Sequence, residues 1–128
     1  MTDSNHAVIS ADAAHYAIVG DVFLETHRQL ELWGVQDHLM GTGPEKRLLS
    51  RTDVNLDLRT GAELEHIFRN KVVRLFGEEN GGTYFDVLLE EVFEAGAEDD
   101  PEKLETELIQ VAAVAVSMVA ASRRARGA

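Results

Sequence analysis

The chain has 128 residues, a net charge of −11 and no cysteine. That length suits one domain over 1–128. The missing thiols exclude a disulfide framework or thiolate metal site, and the acidity excludes a general affinity for nucleic acid, whose phosphates demand a basic face.

The opening MTDSNHAVIS reads as a polar, flexible lead-in over residues 1–10. It lacks a basic stretch followed by an apolar core, so no secretion signal is expected. A helix is expected from Ala11, with Tyr16, Val19, Phe23, Leu30 and Trp33 on one apolar stripe, read as packing. Gly34 ends it, since glycine relieves the left-handed turn at a helix terminus. A long connection rich in turn formers follows. Within it, Val54, Leu56 and Leu58 alternate with Asn55 and Asp57, which allows a short extended piece. Loops this long in a small domain are functional or disordered.

Thr60 and Glu63 match a capping box for a second helix, continued by Leu64, Ile67, Phe68, Leu75 and Phe76 and broken at Gly77. Thr83 and Asp86 form a second cap, with aspartate in place of the usual glutamate, for a helix reaching about Glu98. Asp100 before Pro101 starts a fourth helix, because proline suits the first helical position. That helix is expected to run to Arg124. The fold expected is all-α: a four-helix bundle-like subunit with one long loop between its first two helices.

Each helical residue advances about 100° around the axis. On the third helix this places Glu90, Glu91, Glu94 and Glu98 on one side, opposite Phe85, Leu88, Leu89, Val92 and Phe93. An amphipathic helix with a solvated acidic face is the plain reading. Against it, like charges three and four apart repel, and no lysine or arginine is interleaved.

On the fourth helix Glu107 shares a stripe with Val111, Val114 and Met118, and Gln110 lies close by. The stretch from Val111 to Ala121 is apolar nearly all round, so burial nearly all round is expected. It is also too short and alanine-rich to span a bilayer. A carboxylate entering such a region needs a cation, a hydrogen bond or a proton. Either an arginine such as Arg69 or Arg74 supplies the charge, or a divalent metal is shared with the acids of the third helix. The short turn at 99–101 makes the two helices antiparallel neighbours, so the acids can converge. A site of oxygen ligands alone favours Mg²⁺ or Mn²⁺ over zinc. Magnesium takes remaining ligands from phosphate oxygens, which makes a phosphorylated substrate the natural class.

The run from Glu90 to Glu94, with glutamates at 90, 91 and 94, is followed after twelve residues by Glu107-Leu108-Ile109-Gln110. This resembles the E-E-x-x-E and E-x-x-D motifs of the MazG-like all-α nucleoside triphosphate pyrophosphohydrolases. The segment from Arg28 to His38 is similar to their first-helix pattern RQ-x-x-x-W-G-x-Q-x-H. The resemblance spans the first helix and Thr83 to the C-terminus. It implies a homodimer or homotetramer that cleaves (d)NTPs to monophosphate and pyrophosphate, clearing unwanted or excess nucleotides; the absence of cysteine suits a cytoplasmic setting. Carried over by position, it implies Mg²⁺ ligands at Glu91, Glu94 and Glu107. Gln110 stands where the family has aspartate; its amide oxygen would ligate the metal or act behind it. Glu90 or Glu98 would add charge or serve as base.

Trp33 either stacks on a nucleobase, with Gln36, Asp37 and His38 reading its edge, or caps the bundle. Lys71 either meets a triphosphate or snorkels along the surface. Arg123, Arg124 and Arg126 suit the dipole at a helix C-terminus, with phosphate contact the lesser alternative. Beside the enzyme stands a second reading: a catalytically weak helical module that binds nucleotide or protein and serves oligomerisation.

Overall fold

In the computed structural model, described here over residues 3–40, 42–45, 59–77 and 81–127, with side chains from residue 13 onward, the chain is all-α. Among the described residues there are four helices: α1 (Asp3–Trp33), α2 (Gly61–Gly77), α3 (Tyr84–Gly96) and α4 (Pro101–Ala125). The helices pack as a bundle, with α3 between α2 and α4, and α1 laid on α4. The possible extended piece at Val54–Leu58 lies outside the described residues.

The caps form where the local sequence places them. The Glu63 amide donates to Thr60 Oγ1 at 3.2 Å, and the Thr60 amide reaches back to Glu63 Oε1 at 3.5 Å. The Thr83 and Asp86 box closes in both directions. Asp100 caps α4, accepting from the Lys103 amide at 3.0 Å with Pro101 in the first helical position. Gly34 takes a left-handed φ of 69° and donates to the Leu30 carbonyl. One boundary differs: α1 begins at Asp3, so the segment read as a flexible lead-in continues the helix.

The core is small. Phe68 and Leu75 on α2 are fully enclosed, and Tyr84, Ala95, Ala113, Val114 and Ala121 join them. The Phe68 ring lies 4.5 Å from that of Phe93. Gly61 is needed where α2 starts against the end of α3, since a Cβ there would sit 2.5 Å from the Gly96 carbonyl oxygen.

Two burial expectations are corrected. The α1 stripe is uncovered: Tyr16, Val19, Phe23, Leu30 and Trp33 are all exposed, with Ile18, Leu24 and Leu32 beside them. On α4, Leu108, Val116 and Val119 are exposed, so its apolar run is buried on one side only. Among the described residues, the neighbouring helices leave these faces uncovered. By length and composition alone, α4 as a whole is also long and apolar enough to cross a membrane, against the expectation from its shorter apolar run.

Candidate functional site

The α3–α4 hairpin brings the acids together. One carboxylate oxygen from each of Glu91, Glu94 and Glu107 falls within 4.8 Å of the others. All three side chains are half-buried, as is Glu90. The acidic side of α3 is therefore turned into the molecule, while Val92 from the opposite side faces outward. The plain amphipathic reading of α3 does not describe this helix.

This crowding has an electrostatic consequence. Burial, then the charge of Glu94, pushes Glu90 up from 4.5 to about 7. Burial, followed by the charges of Glu94, Glu90 and Glu107, pushes Glu91 up to about 8. Glu107 is raised by burial first and then by Glu94, with Glu98 adding to it. Of the arginines considered as partners for Glu107, Arg69 pairs with Glu65 one turn away and its charge lowers Glu90. Arg74 also interacts within the fold. The cation that sequence reasoning passed over is Arg28. It makes a two-pronged pair with Glu25, at 2.8 and 2.5 Å, and feels the charge of Glu91 across the helix interface.

Gln110 lies between the acids. With its amide nitrogen turned towards them, it donates to Glu107 Oε2 at 3.1 Å and to Glu91 Oε2 at 3.2 Å. Ionised carboxylates favour this orientation, because they accept and do not donate. In this arrangement Gln110 is a bridging donor to two of the acids, where a ligand role would need its oxygen.

A cleft of about 520 Å³ runs from this cluster between the helices. Glu90, Glu91, Gln110 and Arg28 line one part of it, and Trp33, Gln36, His38, Phe76 and Tyr84 another. His38 packs edge-on between Phe76 at 4.8 Å and Tyr84 at 5.0 Å. Burial holds its pKa below the ordinary imidazole value, with Asp37 pulling the other way.

Two residues expected to touch substrate lie elsewhere. Lys71 is buried on α2; its ammonium is 3.2 Å from Asp86 Oδ1 and 5.4 Å from the centre of the Phe68 ring. It neither lines the cleft nor snorkels, because a buried charge finds its partner where Asp86 is already fixed by the α3 cap. Asp37 is also absent from the cleft wall; its Oδ1 pairs with Arg124 at 2.9 Å. Arg124 does line the cleft, in addition to its place at the helix end.

The chain matches no family model, no curated protein and no solved structure.

Proposed function

We propose that this protein is a divalent-cation-dependent nucleoside triphosphate pyrophosphohydrolase, acting on (d)NTPs to release the monophosphate and pyrophosphate. The observation that carries the reading is the convergence of Glu91, Glu94 and Glu107 beside an aromatic-walled cleft. Three carboxylates held this close repel one another, and a shared cation relieves that cost. Oxygen ligands of this kind suit Mg²⁺ or Mn²⁺. When bound, such a cation supplies neutralisation of phosphate charge and a more acidic water.

The cleft supports the substrate class. Trp33, His38 and Phe76 offer ring surfaces for a base, and Arg28 stands near Glu91, where an anionic tail would lie. Glu90 borders the cleft beside the acid trio, placed to take a proton from an attacking water. The uncovered apolar faces of α1 and α4 support a homo-oligomeric assembly.

Incubation of purified protein with a (d)NTP panel and Mg²⁺ or Mn²⁺ tests the reading. Monophosphate plus pyrophosphate is expected, and Glu107→Gln abolishes it. Orthophosphate release, or no turnover on any nucleotide, defeats it. One observation favours a second reading, a catalytically weak nucleotide-binding module: Gln110 already satisfies Glu91 and Glu107 with hydrogen bonds. A module of that kind shows no Mg²⁺-dependent rise in thermal stability, whereas a cation bound to the native state must raise it.

A further inference from the structure

The segment that follows α1 is tied to α2, α3 and α4. The Gln36 carbonyl accepts from Tyr84 Oη at 2.6 Å and from Arg124 Nη2 at 3.3 Å. Arg124 Nε donates to Asp37 Oδ1 at 3.0 Å, and Nη2 lies 2.9 Å from the same oxygen. His38 is held between Phe76 of α2 and Tyr84 of α3. In the next two residues, the Leu39 and Met40 carbonyls accept from the first two amides of α3 at 2.7 and 3.0 Å. Gln36 and His38 line the cleft, so the chain that builds this wall is fastened by neighbours that line the cleft with it, Arg124 and Tyr84 among them.

We propose that Arg124 is a positioning residue of the cleft. Its guanidinium grips Asp37 and the Gln36 carbonyl together, and so sets Gln36 and His38 in place before any ligand arrives. The planar fork explains why arginine serves here, since a lysine ammonium is a point charge on a flexible stem and does not pre-set two partners. Asp37 then acts through Arg124 rather than on the ligand. For the ligand, this inference rests on the nucleotide reading above; for the clamp itself, it does not.

The test has two arms. In the ligand-free protein, the His38 ring protons are shifted by the neighbouring rings and are assigned by their loss in His38→Asn. Arg124→Ala is expected to move them towards free-histidine values, Arg124→Lys to move them part of the way, and Asp37→Ala with Arg124→Ala to do no more than Arg124→Ala. Unchanged His38 signals in a folded Arg124→Ala protein overturn the proposal. The second arm uses Trp33, the single tryptophan of the chain, as a fluorescence probe for α,β-imido (d)NTPs with Mg²⁺. Arg124→Ala is expected to weaken binding about two- to tenfold, the range open to an exposed pair with one added hydrogen bond. Equal affinity in the variant and wild type overturns the proposal. If the wild type binds none of these nucleotides, the nucleotide reading falls, and the His38 signals alone decide the clamp.

Discussion

Gln110 concentrates the chemical question at the scale of single residues. Its amide bridges Glu91 and Glu107, supplying donors where the acids would otherwise confront each other. Gln110→Asp removes those donors and adds a fourth negative charge. The variant is expected to melt lower than wild type in chelator, yet to gain more on adding Mg²⁺ and to keep or exceed wild-type turnover. A large loss of turnover instead assigns the amide its own role. Asp86 serves two structures with one carboxylate. Oδ2 accepts from the Thr83 amide at 3.1 Å and its hydroxyl at 3.0 Å, while Oδ1 faces Lys71. Removing one partner of a buried pair costs about 3–5 kcal/mol, against about 1 kcal/mol for losing a hydroxyl cap. Asp86→Ala is therefore expected to destabilise the fold several times more than Thr83→Ala in chemical denaturation.

Among the elements, α1 carries an apolar stripe that the other described residues leave exposed. Phe23 lies mid-way along it, 69% exposed. Phe23→Glu puts a charge into that stripe. A self-associating wild type is expected to become smaller in light scattering, with helix content by circular dichroism unchanged; an unaltered mass removes α1 from the interface. The α2–α3 contact depends on a close approach at Gly61. Gly61→Ala forces that junction apart, at about 1–3 kcal/mol for an overpacked site, read as a lowered denaturation midpoint.

For the whole molecule, the acid cluster links stability to pH. Glu90 and Glu91 titrate near 7 and 8 when folded, against an ordinary 4.5. The folded chain therefore holds more protons than the unfolded chain between those values, and stability falls as pH rises through that window. In chelator, Tm is expected to drop between pH 5 and pH 8, and Glu91→Gln should flatten the drop. A divalent cation binds the ionised acids and displaces their protons. Its stabilising effect should therefore be larger at pH 8 than at pH 6. A Tm that rises across this range in chelator contradicts the crowding of the three acids.

The helix starts at Thr60, Thr83 and Asp100 and the stop at Gly34 were legible in the chain because caps are made by residues within a turn of one another. So was the meeting of Glu91, Glu94 and Glu107, since a short turn leaves two adjacent helices little choice but to run back together. The burial of Lys71, the bridging orientation of Gln110 and the grip of Arg124 on a segment 87 residues away were not legible. Periodicity says which side of a helix is apolar and leaves open which neighbour meets it. The stripe of α1 was read as core on that ground, and only the packing showed it uncovered. Local sequence thus determined the elements and the pairing of the acids, because those interactions close over a few residues. Tertiary structure decided partners and exposure, because each depends on surfaces supplied from distant parts of the chain.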